Sequence, residues 1–306
     1  MKYRTLGSTG VKVSVIGLGT WQFGGEWGKD FTQPEVDAMF RRAKELGVNL
    51  IDTAECYGDH TSEAFIGAAI EHDRKDWVVA TKFGHKFNGY LDRSEPRTPQ
   101  DTLKQLEDSL KSLRTDYIDL YQYHSWGDGQ FFDDDVLAVL NKAKDSGKVR
   151  HLGNSVGNND NVKQIDASAQ RGIAFVQIIY NRLDRKPEER SFPSCRRQNL
   201  GVLARVPLAS GFLSGKYKPG ATFPKGDVRS NQKRENLDAK LEHVEQIAKH
   251  EVPPGVEMAQ WALAWCLQHP AVTAVIPGCK DIRQVESNAA AAEFDMVRRN
   301  HPQAAG

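Results

Sequence analysis

Four side chains that can hold or move protons stand at the ends of apolar segments. Asp52, Lys82 and His124 each close such a segment, and Tyr57 follows Asp52 after five residues. An ammonium near a phenol favours the phenolate and makes the phenol a better acid, and a carboxylate can hold that ammonium in place. An imidazole can orient the oxygen that receives the proton. Each residue alone has an ordinary explanation, such as a helix cap or a packed ring. Together they indicate general acid chemistry at one site.

Eight apolar runs alternate with amphipathic segments along the chain. The runs lack polar alternation, which is typical of strands buried on both faces of a parallel sheet. They lie at 13–20, 48–53, 77–82, 117–124, 148–155, 174–181, 200–207 and 272–277. Eight strand–helix units predict an α/β fold, a closed (β/α)8 TIM barrel that forms a single domain over residues 1–306. A doubly wound open sheet is the alternative. In a barrel the strand ends meet at one rim, which would bring the four side chains together.

Capping residues mark the predicted helices. Thr32 and Glu35 form a capping box before one helix, and Gly47 follows its end. Thr98 and Pro99 repeat the pattern before another helix. An N-terminal β-hairpin is predicted around 7–10, where it would close the barrel floor. A Gly/Pro-rich loop at 209–232 and an extra helix near 236–250 precede the expected seventh helix at 257–268, and such long insertions are usually functional.

Composition narrows the class of protein. The 306 residues include 41 basic and 40 acidic side chains, so we expect no nucleic-acid or membrane partner. The start has no apolar signal segment, and no run of apolar residues is long enough to span a bilayer. Four scattered cysteines without a C-x-x-C pair suit a reducing compartment. We therefore expect a cytoplasmic protein with a small-molecule partner and leave the oligomeric state open.

The segments "GVNLIDTAECYG", "VVATKFG" and "YIDLYQYHSW" resemble the aldo-keto reductase family, and the resemblance extends over nearly the whole chain. It is strongest for the bacterial branch that is related to potassium-channel β subunits. The resemblance implies that Asp52, Tyr57, Lys82 and His124 are a catalytic tetrad. Carbonyl reduction needs a hydride at carbon and a proton at oxygen, and Tyr57 would donate that proton. No metal is needed for this chemistry.

Neither standard phosphate loop is present. "GLGTWQFGG" has Gln22 where a third glycine is required, and "GFLSGKY" has one residue too few between its glycines. A barrel can instead bind phosphates with the loops after its seventh and eighth strands. The resemblance implies NADPH or NADP+, with NADH less favoured. It places the cofactor at Gly19, Thr20, Trp21, Ser155, Gln177, Arg205, Pro207, Leu208, Ser210, Gly211, Lys216, Gly278, Lys280, Arg283, Gln284, Glu286 and Asn288.

Within that set the resemblance gives each group a role. Ser210, Gly211 and Lys216 would lie at the pyrophosphate, and Ser155 and Gln177 at the nicotinamide carboxamide. Lys280, Arg283 and Gln284 would hold the 2′-phosphate, and Glu286 and Asn288 the adenine. Lys280 and Arg283 could also be ordinary solvated cations on a helix face.

Two positions depart from the family pattern. Val156 stands where an asparagine often follows the fifth strand, and Arg205 stands where many members place an aromatic ring on the nicotinamide. A guanidinium can stack on a ring but adds charge beside it. These departures leave the affinity for the cofactor open.

Trp21, Trp27 and Trp126 are expected on rim loops, where they would wall a substrate pocket, although ordinary loop packing explains each ring equally well. We expect the pocket to be open, because only about a dozen residues follow the eighth helix. Sugars, small aliphatic aldehydes, methylglyoxal and aromatic aldehydes all remain as substrates. The sequence favours an NADPH-dependent aldehyde or ketone reductase. The alternative is a nicotinamide-binding regulatory or partner subunit with little turnover.

Overall fold

The computed structural model describes residues 1–159 and 161–294, so the expectation about the end of the chain lies outside the described residues. The strands are β1 (Tyr3–Thr5), β2 (Lys12–Ser14), β3 (Leu18–Gly19), β4 (Leu50–Asp52), β5 (Val78–Phe83), β6 (Lys86–Gly89), β7 (Asp92–Ser94), β8 (Ile118–His124), β9 (Val149–Ser155), β10 (Ile173–Ile179), β11 (Gly201–Arg205) and β12 (Ala274–Val275). Eight of them are parallel and form one sheet in the order β3-β4-β5-β8-β9-β10-β11-β12. Parallel bridges join Ile16 to Val275 and Gly19 to Gly278, next to the sheet's two outer strands. The sheet therefore closes into the predicted (β/α)8 barrel, and the open doubly wound alternative is wrong.

A helix follows each barrel strand. The helices are α1 (Gln33–Glu45), α2 (Thr61–Ile70), α3 (Pro99–Ser112), α4 (Asp128–Phe131), α5 (Asp134–Asp145), α6 (Val162–Ala167), α7 (Ser191–Gln198), α8 (Arg234–His250), α9 (Met258–Gln268) and α10 (Ile282–Ala290). Both capping boxes form, with Thr32 and Glu35 before α1 and Thr98 and Asp101 before α3. The extra helix is α8, between β11 and α9, and its prediction is confirmed. None of the helices in the described part of the chain could cross a membrane.

The predicted hairpin, β1 with β2, closes the bottom of the barrel. Leu6 is fully buried between these strands and belongs to the apolar cluster that fills the barrel interior with Leu50, Leu120 and Phe175. Gly7 sits at a φ of +51°, and a Cβ there would lie 2.1 Å from the backbone nitrogen of Gly201. Only glycine fits so close an approach. With its bottom packed, the barrel leaves the carboxyl rim as the open end.

A second hairpin, β6 with β7, was not predicted. It follows β5 on the rim, and its strands pair in antiparallel register from Lys86–Ser94 to Gly89–Asp92. The two-residue turn consists of Tyr90 and Leu91, so the Asn-Gly pair at 88–89 lies in β6 and is not the turn that usually signals a hairpin. The hairpin brings Arg93 to the rim.

Candidate active site

Lys82 lies between Asp52 and Tyr57 at the carboxyl rim. Its Nζ donates to Asp52 Oδ2 at 2.9 Å, to the Thr53 carbonyl at 2.7 Å and to the Tyr57 hydroxyl at 3.3 Å. The register of neighbouring strands β4, β5 and β8 sets this arrangement, since Asp52 pairs with Ala80 and Lys82 with Gln122. Lys82 is only 1% exposed. The strand ends therefore bring the ammonium, the carboxylate and the phenol together as the sequence predicts.

Burial controls the acidity of this cluster. It raises the pKa of Tyr57 to about 12, and the ammonium of Lys82 opposes the shift without cancelling it. Burial also disfavours the ammonium, but the charge of Asp52 and the neighbouring Tyr57 outweigh burial and raise the pKa of Lys82. The effect of Lys82 on Tyr57 has the expected sign, but it is smaller than the effect of burial. Near neutral pH a charged lysine thus contacts a phenol that keeps its proton.

Both oxygens of Asp52 are fixed. Oδ2 accepts from Lys82, while Oδ1 accepts from Gln177 Nε2 at 2.6 Å and from Gln122 Nε2 at 3.4 Å. The Ser155 hydroxyl donates to Gln177 Oε1 at 3.4 Å. Gln122, which was not among the predicted site residues, alternates with Tyr121 and Tyr123 on β8. Ser155 and Gln177 thus continue the polar network of the tetrad (Asp52, Tyr57, Lys82 and His124).

His124, at the end of β8, presents its ring edge to Tyr57, with 6.1 Å between the ring centroids. The ring of His85 lies nearly perpendicular to it at 4.6 Å. Burial, followed by the charges of His85, Lys82 and Arg205, holds the pKa of His124 well below its usual range. The imidazole is therefore neutral near neutral pH, so one ring nitrogen carries a proton and the other accepts.

A buried carboxyl that sequence reasoning missed lies behind His124. Glu55 is 2% exposed, and its Oε1 accepts from the His85 backbone nitrogen at 2.8 Å. Its Oε2 has no hydrogen-bond partner among the described residues and lies 3.7 Å from His124 Nδ1. Cys56 Sγ is also 3.7 Å from Nδ1. Burial raises the pKa of Glu55 to about 7.

A cavity of about 780 Å³ opens beside these residues. Asp52, Tyr57 and His124 line it, and Lys82 lies behind them. All but one of the predicted cofactor residues also line the cavity. They are Gly19, Thr20, Trp21, Ser155, Gln177, Arg205, Pro207, Leu208, Ser210, Gly211, Lys216, Gly278, Lys280, Arg283, Gln284 and Asn288.

Apart from Lys82, two predicted residues do not line the cavity. Glu286 accepts from Arg42 Nε at 2.7 Å on the outer side of α10, and its neighbour Ser287 faces the cavity instead. Trp126 is 2% exposed, packs against Phe83 and donates to the Gly84 carbonyl at 3.0 Å. The expectation that Trp126 walls the pocket is therefore not supported, because its ring belongs to the core. Trp21 and Trp27 do line the cavity, at 5.2 Å from each other.

The side of the cavity near β11 and β12 is cationic. Lys216, Arg229, Lys280 and Arg283 line it, against Glu257 and Asp281. Burial and the charge of Arg229 lower the pKa of Lys280, whose Nζ donates only to the Trp27 carbonyl, at 2.5 Å, among the bonds of the described residues. A half-buried ammonium beside like charges favours an anionic ligand. Phosphate groups fit this donor set.

The two departures from the family pattern meet in space. Arg205 Nη2 donates to the carbonyl oxygens of Val156 at 2.9 Å and of Gly157 at 3.4 Å. Its Nε is buried without a hydrogen-bond partner in the described part of the chain. Arg205 therefore ties the end of β11 to the loop after β9, where the asparagine is missing.

Glu26 is a further residue of the site that was not predicted from the sequence. It is 2% exposed, and its Oε2 accepts from Trp21 Nε1 at 2.7 Å and from Arg93 Nη2 at 2.5 Å. Its Oε1 accepts from the Leu91 nitrogen at 2.8 Å, and its backbone carbonyl accepts from the Val228 nitrogen at 3.2 Å. One residue thus joins three rim loops around the cavity.

The model of the Aldo/keto reductase family matches residues 15–303. The chain belongs to the aldo-keto reductase family. It is therefore an oxidoreductase of a family that reduces carbonyl groups with a nicotinamide cofactor, and the resemblance seen in the sequence is confirmed.

Three curated relatives match most of this chain. Aldo-keto reductase YhdN of Bacillus subtilis (strain 168) is 32% identical over 94% of this chain and 87% of its own length. The NADH-specific methylglyoxal reductase of Escherichia coli (strain K12) is 30% identical over 97% and 95%. Aldo-keto reductase yakc [NADP(+)] of Schizosaccharomyces pombe (strain 972 / ATCC 24843) is 30% identical over 90% and 83%. Among solved structures, the holo form of aldo-keto reductase AKR11C1 from Bacillus halodurans matches with a TM-score of 0.81, at 28% identity over 99% of this chain and 95% of that one.

Proposed function

We propose that this aldo-keto reductase uses NADPH to reduce aldehydes or ketones to alcohols, with Tyr57 as the proton donor. The observation that carries the proposal is the position of Lys82 Nζ, within hydrogen-bonding distance of both Asp52 and the Tyr57 hydroxyl at the wall of the cavity. When bound, the cofactor supplies the hydride for the carbonyl carbon. Tyr57 gives its proton to the carbonyl oxygen, and Lys82 stabilises the phenolate that remains.

His124 and Asp52 support that transfer. The neutral imidazole of His124 hydrogen-bonds to the carbonyl oxygen and so orients the substrate. Asp52 holds Lys82 in place, since its second oxygen is fixed by Gln177 and Gln122. Trp21, which stacks on Tyr57 at 6.0 Å, and Trp27 form the wall against which the body of the substrate packs.

The cofactor would occupy the rest of the cavity. Ser155, Gln177 and Arg205 suit the nicotinamide end, and Gly19, Thr20, Trp21, Pro207 and Leu208 line its path. The loop around Ser210, Gly211 and Lys216 suits the pyrophosphate, where Ser210 and Gly211 adopt positive φ angles of 61° and 89°. Gly278, Lys280, Arg283, Gln284 and Asn288 suit the adenosine end. Four free, buried cysteines (Cys56, Cys195, Cys266 and Cys279) are consistent with a cytoplasmic location.

The proton donor is tested by Tyr57→Phe, which removes only the hydroxyl. We expect the rate of reduction of a good aldehyde to fall by about two to four orders of magnitude, the usual scale of general acid catalysis, while NADPH binding changes little. Absorbance of NADPH with an aldehyde panel, and a fluorescence titration of the cofactor, measure the two quantities. A Tyr57→Phe enzyme with wild-type turnover would contradict the mechanism. Cofactor binding without turnover in the wild type would instead favour a regulatory or partner subunit.

Cofactor preference is tested separately. We expect NADPH to bind more tightly than NADH, because Lys280 and Arg283 can form charge-assisted bonds to a 2′-phosphate. The double variant Lys280→Ala, Arg283→Ala should lose most of this preference by weakening NADPH and leaving NADH nearly unchanged. Arg41→Ala, which removes an exposed cation of α1, is the control. Equal dissociation constants for the two cofactors in the wild type would rule the preference out.

A further inference from the structure

Glu55 is a buried group at this rim that the proposed mechanism leaves unused. Its carboxyl is held by the His85 backbone nitrogen through Oε1, and Oε2 points toward His124 Nδ1 without a hydrogen bond to the rest of the described chain. Leaving such a buried polar atom unpaired is costly, so an explanation in terms of function is warranted. The distance of 3.7 Å is longer than a formed hydrogen bond. Catalytic contacts often tighten only when the substrate is bound.

The orientation of the His124 ring makes this contact important. Nδ1 faces Glu55 and Cys56, so Nε2, on the other side of the ring, is the nitrogen left to face the cavity that His124 lines. A neutral imidazole can donate to a carbonyl oxygen only from the nitrogen that carries its proton. The group beside Nδ1 decides which nitrogen that is.

We propose that Glu55 is a positioning residue for His124: its neutral carboxyl donates a hydrogen bond to Nδ1 and so keeps the imidazole proton on Nε2, where it reaches the substrate carbonyl. This inference rests on the proposed function. In the ionised form Glu55 would accept a hydrogen bond from Nδ1–H. Nε2 would then present a lone pair to the carbonyl oxygen, which repels it.

The surroundings determine which form is present. The titratable or charged groups that face this pair are Cys56, Tyr57, His60, Lys82, His85, Arg93, Tyr121 and Arg205. Burial raises the pKa of Glu55 to about 7, and the nearby His85 and Lys82 only reduce that shift. Burial moves the pKa values of Cys56 and Tyr121 upward as well, away from neutrality. Glu55 is thus the acid beside His124 that loses its proton near neutral pH.

The decisive variant is Glu55→Gln. Glutamine has the same shape, its oxygen can accept from the His85 nitrogen, and its amide can donate to Nδ1 at every pH. We expect kcat/KM of the wild type for the neutral probe 4-nitrobenzaldehyde to fall with pH above about 7, approaching tenfold per pH unit. Glu55→Gln should keep at least about half of the wild-type value near pH 6 and stay flat up to about pH 9.

Two matched variants complete the experiment. Glu63→Gln makes the same change at another fully buried carboxyl, which contacts His60 and Thr81 rather than His124, and should keep the alkaline decrease. Cys56→Ala removes the other neighbour of Nδ1 and should also keep it. The ¹⁵N chemical shifts of the His124 ring should report a proton on Nε2 near pH 6 in the wild type, and at all pH values in Glu55→Gln.

The outcomes separate this inference from the proposed function. An alkaline decrease that persists in Glu55→Gln, or a pH-independent tautomer in the wild type, overturns the role of Glu55 while the reductase stands. Loss of the decrease in Cys56→Ala assigns the contact to the thiol and equally overturns it. Wild-type turnover in Tyr57→Phe instead overturns the proposed function.

Discussion

Arg205 combines two departures from the family pattern into one contact. Its guanidinium donates to the carbonyl oxygen of Val156. Arg205, which replaces an aromatic ring of the family pattern, therefore supports the loop in which Val156 replaces an asparagine. Its buried Nε is left unpaired within the described chain and lies in a residue that lines the cavity. A polar group of the cofactor, placed beside Arg205, would satisfy it.

We predict that Arg205→Met weakens NADPH and NADH by the same factor, about tenfold. This corresponds to the loss of about 1.4 kcal/mol, which is typical of a hydrogen bond to a charged group. Titration of both cofactors measures the effect, and Arg41→Met at an exposed site is the control. Unchanged binding of both cofactors would show that Arg205 supports only the loop.

At the scale of single residues, the sequence could predict where a side chain lies only if its place at the end of a strand decides this. Asp52, Lys82 and His124 could be placed on one rim because parallel strands in a barrel end together. The contact between Glu26 and Arg93 could not be found, since it joins a loop residue to a residue of β7 that is 67 positions away. Glu55 was overlooked although it stands between Asp52 and Tyr57. Its importance depends on burial and on the ring orientation of His124, and neither can be read from the sequence.

At the scale of elements, Glu26 connects the loop after β3, the β6–β7 hairpin and the segment at Val228. Its carboxylate accepts from Trp21 and Arg93, while its backbone carbonyl holds the segment that leads into α8. Arg229 in that segment donates to a backbone carbonyl of the loop proposed for the pyrophosphate, so Glu26 and Arg229 together join this loop to the wall proposed for the substrate. The helix caps were predictable from local sequence, but this connection is tertiary.

We predict that Glu26→Gln raises KM for aldehydes by about five- to twentyfold and changes kcat much less. The neutral amide removes the negative charge that is paired with half-buried Arg93, and it can accept at only one of its two polar atoms. At least one hydrogen bond of Glu26 is therefore lost, at a cost of about 1–2 kcal/mol. Steady-state kinetics with saturating NADPH measures the change. Glu95→Gln, which breaks the exposed pair of Glu95 with Arg97, is the matched control. A variant whose KM matches the wild type would argue against a role for this connection in substrate binding.

At the scale of the molecule, the barrel followed from eight doubly buried apolar runs and from the helices between them. The β1–β2 hairpin that closes the bottom of the barrel was also predictable, because Gly7 and the sequence pattern of this hairpin are local features. The β6–β7 hairpin was not predicted, since its strands have an exposed, mixed composition that resembles a loop. The single-domain organisation over residues 1–306 stays a prediction.

The buried carboxyl of Glu55 also affects the folding equilibrium. The pKa of this group is raised from 4.5 to about 7, so between these values the folded protein holds a proton that the unfolded chain has released. Stability attributable to Glu55 is therefore fully present below about pH 4.5 and is lost as the pH rises through about 7. The full loss over this pKa difference is about 3 kcal/mol.

We therefore predict that Glu55→Gln is progressively more stable than the wild type as the pH rises from about 5 to about 8. Denaturant unfolding at each pH gives the difference in unfolding free energy, in which the contributions of all other groups cancel. A difference that stays constant over this range would mean that Glu55 ionises as freely in the native state as in the unfolded chain. If the difference grows as expected, the protein loses stability at alkaline pH in exchange for a hydrogen-bond donor beside His124, and its tolerance of heat should decline in mildly basic medium.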